Sequence, residues 1–295
     1  MVSPAALGLA TGAPMSSTRM AALRAVQLKN PSQSTTPANG LRVPQHAVLH
    51  WTGRVEETVS LEYLTSGMER DCFVDEGRNY VLKLQKEKWH ESSNVREMDL
   101  GMSEARDFTP KVYGCVVTSW CHEDVSVLVM ELVQDTFTAY FAKLTQFSAE
   151  EVSLRLAVGV MAGFFCLVRR AAGDLNYCLA DLHWDNVGVS ADGCVLILDS
   201  KRCMHSVGAG QRVRCNIAVR MWQKSLREFA NSISPRSSWS TILYAICNEI
   251  ARWWSAYYQH LPSLPEIAEM AASCMRVALE SLRPSFSARL AAPAA

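Results

Sequence analysis

The chain has 295 residues, of which 49% are apolar, enough for one large domain or two small ones with a sizeable core. Lysine plus arginine and aspartate plus glutamate each number 29, so the formal net charge is zero. This balance argues against nucleic-acid binding through bulk charge. The ten cysteines include no Cys-x-x-Cys pair, and several lie in apolar runs. The pattern predicts free, reduced thiols in a cytoplasmic protein rather than a zinc ribbon.

The first 49 residues are rich in Ser, Thr, Pro, Ala and Gly and show little apolar periodicity. We therefore predict a disordered leader over residues 1–49. No Asp or Glu occurs before Glu56, while several arginines do. That composition leaves an organelle-targeting segment as an alternative to a plain disordered tail, with an organelle as the alternative location.

A β-type pattern begins at about residue 50. Strand-like runs cover residues 58–64, 70–74, 79–85, 111–119 and 125–133. A charged segment between the third and fourth runs predicts one helix that opens at Ser93 or Asn94. Together these elements predict a small β-rich lobe over about residues 50–134 with a single helix.

The remainder of the chain is mostly helical in pattern. A helix is predicted from a capping signature at Ser148 and Glu151, and its most apolar stretch, Leu156–Val168, is too short to span a bilayer. Two short strands joined by the turn "ADG" lie at 186–190 and 194–199. We predict an α+β fold with a larger helical lobe over about 135–285, a tail at 286–295 and no membrane span.

The stretch "LADLHWDNVGVSADGCVLILDSKR", residues 179–202, carries the most informative motif. Asp181-x-x-x-x-Asn186, a hairpin and then Asp199 resemble the catalytic loop and the metal-binding aspartate of the protein-kinase-like superfamily. The resemblance implies that Asp181 meets the acceptor hydroxyl. It also implies that Asn186 and Asp199 hold Mg²⁺ against the phosphates of ATP, because Mg²⁺ prefers oxygen ligands.

The upstream half of the chain shows the same resemblance. "NYVLKL" is similar to the V-A-I-K strand of that superfamily, which implies that Lys83 grips the α- and β-phosphates. The following helix should supply a glutamate partner for this lysine. Glu97 is our first candidate and Glu104 the second.

"SVLVMELV" is similar to the last small-lobe strand that runs into the hinge of these kinases. The resemblance implies that Met130 is the gatekeeper and that the backbone of Glu131 and Val133 bonds the adenine. "YLTSGMERDCF" keeps only Gly67 of the glycine-rich phosphate loop, so Gly67 is the candidate remnant of that loop.

Several kinase motifs are changed. "LAD" stands in place of H-R-D, "DSK" in place of D-F-G, and no A-P-E follows. The triplet "DLH", with His183, is similar to small-molecule kinases of the superfamily such as the aminoglycoside and choline kinases. His183 is either a neighbour of the phosphate or of Asp181, or a structural residue. Asp185 is interpreted as a solvated loop carboxylate and Trp184 as a core residue.

Three functional hypotheses follow from the resemblance, of which the third and weakest is transfer of another nucleotide moiety on the same fold. The first is an ATP- and Mg²⁺-dependent phosphotransferase acting on a hydroxyl of a protein or a small molecule. The second is a pseudokinase that serves as a nucleotide-binding or scaffold module. The degenerate glycine loop favours the pseudokinase, and retention of Lys83, Asp181, Asn186 and Asp199 favours the enzyme.

Overall fold

The computed structural model describes residues 22–31, 42–66, 70–86, 93–200, 203–205, 210–256 and 261–290. The chain divides into two compact units. The N-terminal unit extends to Leu132 and also includes the later segment Asp199–Lys201, whereas the C-terminal unit begins at Val133. The division after Leu132 lies close to the lobe boundary at about 134 that the sequence predicted.

An antiparallel sheet of seven strands forms the N-terminal unit, in the order β1-β2-β3-β4-β5-β7-β6. One helix, α1 (Ser93–Met102), accompanies the sheet. The strands are β1 (Leu23–Pro31), β2 (Pro44–Trp51), β3 (Glu57–Ser66), β4 (Arg70–Asp75), β5 (Tyr80–Lys86), β6 (Val112–Trp120) and β7 (Glu123–Glu131). β5 lies between β4 and β7 and is therefore paired along both edges.

The predicted disordered leader is wrong for the described part of residues 1–49. β1 and β2 pair antiparallel, with Leu28 opposite Ala47, and Val26 and Leu49 are buried in the core of the sheet. The apolar residues of β1 are interleaved with polar ones in a Ser/Thr/Pro-rich part of the sequence, and their burial depends on pairing with neighbouring strands. Residues 1–21 and 32–41 of the predicted leader lie outside the described residues.

The edge strand β1 also packs against β6, at the other end of the hydrogen-bonded order. A Cβ added at Gly114 of β6 would lie 3.0 Å from the Cβ of Leu23, so only a glycine permits this approach without a shift. Near the same edge, Trp120 Nε1 donates a hydrogen bond to the Arg42 carbonyl oxygen at 2.8 Å. The two N-terminal strands are thus an integral part of the core.

The C-terminal unit is mainly helical. Its helices are α2 (Phe137–Leu144), α3 (Glu151–Val168), α4 (Gln211–Ser232), α5 (Ser238–Ala256) and α6 (Leu264–Leu290). Short strands connect them: β8 (Asp135–Thr136), β9 (Tyr177–Leu179), β10 (Val187–Val189), β11 (Val195–Ile197) and β12 (Cys203–His205). Because the backbone of α6 is helical to Leu290, the predicted tail over 286–295 is wrong up to that residue, and residues 291–295 lie outside the described residues.

Aromatic side chains fill the centre of the C-terminal unit. Trp184 packs on Phe141 with ring centroids 4.7 Å apart, and Phe164 stacks on Trp222 at 5.0 Å. Trp184 is 2% exposed, which agrees with its interpretation as a core residue. Such aromatic contacts add roughly 0.5–1.5 kcal/mol per pair beyond area burial. This cluster anchors the loop that carries Asp181.

The apolar helix α3 packs inside the same unit. Its capping contact differs from the predicted one, since the Glu150 amide donates to Ser153 Oγ at 3.2 Å and Ser148 is not the cap. Among the described residues, one helical stretch, Glu151–Asp174, is long and apolar enough to cross a membrane. In the most apolar part of this stretch, 56% is buried within the protein. The core helix of a soluble protein can have the same length and composition.

Candidate functional site

Lys83 lies on the central strand β5, opposite Cys72 of β4 and Leu128 of β7. Its side chain is buried, and its Nζ lies 2.6 Å from Glu97 Oε1 of α1. Glu97 is fully buried. Two charges can stay buried only when each is paired, so this contact fixes the position of the lysine ammonium. Glu97, the first candidate from the sequence, is therefore the partner that the structure places at Lys83.

Asn94 holds the start of α1 against the sheet. Its side-chain Nδ2 donates to the Lys83 carbonyl oxygen at 2.9 Å and to the Ser126 carbonyl oxygen at 3.1 Å. Its backbone N–H donates to Gln85 Oε1 at 3.2 Å. Residues three apart on a helix lie on one face, so these bonds direct Glu97 toward β5. The second candidate, Glu104, is exposed and lies beyond the end of α1.

Arg70, the first residue of β4, is a site residue that the sequence analysis missed. Its side chain is 5% exposed, pairs with Glu97 Oε2 through Nη1, and contacts Asp199 Oδ1 through Nη2 at 2.6 Å. Burial alone would lower the pKa of this guanidinium, but the carboxylates of Glu97 and Asp199 outweigh burial and raise it. Arg70 therefore remains charged and ties the two acids together.

The strand register contains the information that would have revealed Arg70. Because Cys72 lies opposite Lys83, the two side chains share a face of the sheet, and Arg70 follows on that face two residues away. The same environment acts on the thiol between them. Burial, the largest cause, raises the pKa of Cys72, although the nearby Lys83 and Arg70 oppose that rise.

Asp199 follows β11 and belongs to the N-terminal unit with Arg70. Its side chain keeps 23% of its surface exposed. The next residue, Ser200, stands where a D-F-G phenylalanine would be and is 1% exposed. Its Oγ has no hydrogen-bond partner within the described part of the chain.

The loop with Asp181 lies in the C-terminal unit. Asp181 has φ 66°, in the left-handed region that Asp tolerates better than most residues. Leu182 and Trp184 are buried on either side of half-buried His183, so alternate residues anchor the loop. The Nδ2 of Asn186 donates to the Asp181 carbonyl oxygen at 2.9 Å. This bond orients the amide so that Oδ1 is the atom left for a cation.

Of the remaining loop residues, Asp185 agrees with its predicted role, whereas the role of His183 stays open. Asp185 is exposed, as expected of a solvated carboxylate. His183 Nδ1 lies 4.0 Å from Asp185 Oδ2, and both side chains retain substantial exposure. That distance marks a weak surface pair, and it does not separate a phosphate-neighbouring role for His183 from a structural one.

The predicted adenine-binding segment spans the end of β7 and the start of the C-terminal unit. Met130 is buried against Val81 and Val112. The amide of Glu131 donates to the Lys111 carbonyl oxygen at 2.8 Å, which limits a bond from Glu131 to adenine to its carbonyl oxygen. Val133 opens the C-terminal unit. Gly67 lies outside the described residues.

The Asn186 amide oxygen and the Asp199 carboxylate are each a donor type that Mg²⁺ accepts. Asp199 Oδ1 accepts from Arg70 Nη2 at 2.6 Å. In the part of the chain that the structure describes, no group of three His, Cys, Asp or Glu side chains forms a ready-made metal site.

No family model matches this chain, and no curated protein matches its sequence. Solved structures similar to it include the bifunctional kinase-methyltransferase WbdD, at 12% identity and a TM-score of 0.47, covering 85% of this chain and 54% of that one. A complex of WbdD with a kinase inhibitor matches at 12% identity and a TM-score of 0.43, covering 85% and 53%. The chain thus spans about half the length of these structures. Such weak similarity carries no argument about chemistry, so the function has to be argued from the chain's own residues.

Proposed function

We propose that this chain is an ATP-dependent phosphotransferase of the protein-kinase-like type, which transfers the γ-phosphate to a hydroxyl of a protein or a small molecule. The observation that carries the proposal is the buried ion pair between Lys83 and Glu97, 2.6 Å apart on a central strand and the helix that follows it. The sequence resemblance named this pair independently of any coordinates.

In this proposal the N-terminal unit handles the phosphates. Glu97 holds the Lys83 ammonium in place, so Lys83 offers a fixed positive charge to the phosphate oxygens of ATP. A charge positioned in advance costs little reorganisation when negative charge shifts during transfer. Glu131 and Val133 bond the adenine through the backbone in the same proposal.

The loop of the C-terminal unit handles the acceptor. Asp181 orients the acceptor hydroxyl and accepts its proton, while the bond from Asn186 to the Asp181 backbone stiffens the loop. Asn186 and Asp199 would hold Mg²⁺, which neutralises phosphate charge when it is bound. His183 favours a small-molecule acceptor by resemblance alone, so protein and small-molecule hydroxyls both stay open.

A pseudokinase is the second candidate, and one observation favours it. Arg70 occupies an oxygen of Asp199, the carboxylate that a catalytic metal requires. If this pairing were permanent, the chain would bind nucleotide weakly or without metal and would not transfer phosphate. The two candidates share the nucleotide contact at Lys83 and differ in the metal contact at Asp199 and in turnover.

Thermal unfolding with ATP and Mg²⁺ tests the shared part of both candidates. Ligand at about 100 times its dissociation constant adds roughly 2.7 kcal/mol, which corresponds to about 5–10 °C in Tm for a chain of this size. Lys83→Met should reduce that shift through loss of the phosphate contact. Glu97 keeps Arg70 as a partner in this variant, so the fold should survive.

Lys143→Met is the matched control, because Lys143 is 59% exposed and pairs with Asp135. Its ATP-induced shift should equal that of the wild type. If neither ATP nor GTP changes the Tm with Mg²⁺ or Mn²⁺ present, the nucleotide site assigned to Lys83, Asn186 and Asp199 is wrong.

A further inference from the structure

The buried guanidinium of Arg70 bridges Glu97 and Asp199, two acids to which the proposed function gives different roles. Nη1 of Arg70 pairs with Glu97, and Nη2 lies 2.6 Å from Asp199 Oδ1. Nη1 also approaches Asn94 Oδ1 at 3.4 Å. The planar fork of arginine suits this bridging, because its two terminal nitrogens donate in fixed and separate directions.

Glu97 does not need Arg70 for charge balance. Its other oxygen, Oε1, already accepts from Lys83 at 2.6 Å. The second terminal nitrogen of Arg70 is used by Asp199, whose Oδ1 it contacts at 2.6 Å. Arg70 therefore brings a positive charge to the carboxylate at which a divalent cation would bind.

We infer that Arg70 is the residue that sets the divalent-cation affinity of Asp199, because its guanidinium competes with the metal for that carboxylate. The inference rests on the proposed assignment of Asp199 as a metal ligand. In this arrangement the carboxylate is neutralised before any cation arrives. A divalent cation has to displace Nη2 from Oδ1 or share the carboxylate with it, and it is repelled by the guanidinium as it approaches.

A purely structural role for Arg70 gives a different expectation. In that case the guanidinium would only fasten β4 to α1 and to the segment after β11. Removing it would lower stability and would leave the metal affinity unchanged or weaker. The two roles are therefore separated by the direction in which the metal affinity changes.

The experiment measures Mn²⁺ binding without nucleotide, from the electron paramagnetic resonance signal of free Mn²⁺. Arg70→Gln should bind Mn²⁺ about tenfold more tightly than the wild type, the scale of one lost charge-assisted hydrogen bond. Arg70→Met replaces the side chain by an apolar one of similar length and should show the same gain. Folding of each variant is checked by circular dichroism.

Arg78→Gln is the matched control, because Arg78 pairs with Glu62 at 3.0 Å and both side chains are more than half exposed. Its Mn²⁺ affinity should equal that of the wild type. Adding Asp199→Asn to Arg70→Gln should abolish the gain, which assigns it to that carboxylate. Equal or weaker Mn²⁺ binding by either folded Arg70 variant overturns the inference.

The outcome is separable from that of the proposed function. Nucleotide is absent from the Mn²⁺ experiment, so the result reports on Arg70 and Asp199 even if ATP fails to stabilise the chain. Conversely, an ATP-induced shift with unchanged Mn²⁺ affinity in the Arg70 variants supports the nucleotide site and rejects the role of Arg70.

Discussion

Glu97 is the residue on which the buried charges of the N-terminal unit depend. It is fully buried and accepts from both Lys83 and Arg70. A buried ion pair adds little net stability compared with apolar packing, but removing one member leaves the other charge buried and uncompensated. The pairing therefore matters most for where the Lys83 ammonium is held.

Glu97→Gln should destabilise the fold by about 3 kcal/mol or more, because two cations lose a shared carboxylate partner. Glu104→Gln, at the exposed second candidate, should change the stability by no more than about 0.5 kcal/mol. Urea unfolding of the two variants measures the difference. Similar stabilities for both variants would contradict the assignment of Glu97 as the buried partner.

The cysteines provide a second test at the residue scale. All ten lie among the described residues and are free, as the sequence predicted, and Cys121 is exposed. Burial raises the pKa of Cys215 and of Cys274 to about 12, so few of these thiols are ionised at neutral pH. Since the thiolate is the reactive form, an alkylating reagent at pH 7.5 should modify Cys121 first in the native protein.

Denatured, non-reduced protein should expose all ten thiols to the same reagent. Cys121→Ser should remove the fast native phase and no other, as followed by mass spectrometry. Fast labelling of Cys215 or Cys274 in the folded chain would contradict the burial described for them.

At the scale of elements, the sequence predicted the strands that contain dense apolar runs. β7, with six consecutive buried residues, is an example, and the other four strands predicted from such runs lie close to their expected positions. β1 and β2 were missed because they stand in a Ser/Thr/Pro-rich N-terminal stretch, although about half of their residues are apolar and are buried by strand pairing. β8, β9 and β12 are two or three residues long, too short for any periodicity.

The residues of the candidate site also differ in how far the sequence could predict them. The sequence could name Lys83, Glu97, Asp181, Asn186 and Asp199, because their order and spacing along the chain carry the resemblance. Arg70 was not predictable in this way, because its contacts depend on the register of β4 against β5 and on a partner far along the chain.

The strand β1 gives the element-scale prediction. Val26 is 2% exposed and Gln27, the next residue, is exposed. Val26→Asp should lower the stability by about 3 kcal/mol, since it buries an unpaired charge. Gln27→Asp should lie within about 0.5 kcal/mol of the wild type, as expected for a surface change. Thermal unfolding distinguishes the two variants. An unchanged stability of Val26→Asp would contradict the burial of β1 and support the disordered leader that the composition predicted.

On the scale of the whole molecule, the residues assigned by resemblance are distributed over both units. Lys83, Glu97 and Asp199 belong to the N-terminal unit, and Asp181 and Asn186 to the C-terminal unit. The proposal divides these residues by task rather than by unit, since Asn186, like Asp199, is assigned to the metal of the nucleotide. Lys83 and Asp199 act on the nucleotide phosphates and their metal, whereas Asp181 acts on the acceptor, so the two tasks can be separated by mutation.

The most direct test of phosphotransfer follows the γ-phosphate of labelled ATP with Mg²⁺ present, both as phosphate incorporated into the chain and as phosphate released. The account predicts that the wild type consumes ATP and that Asp181→Asn lowers the rate by about 100-fold, the scale of losing a positioned base. The ATP-induced rise in Tm should persist in Asp181→Asn, because the proposal assigns Asp181 to the acceptor and not to the nucleotide. A wild-type chain that is stabilised by ATP but transfers no phosphate to itself, to water or to any supplied protein or small-molecule hydroxyl would contradict the phosphotransferase and favour the pseudokinase.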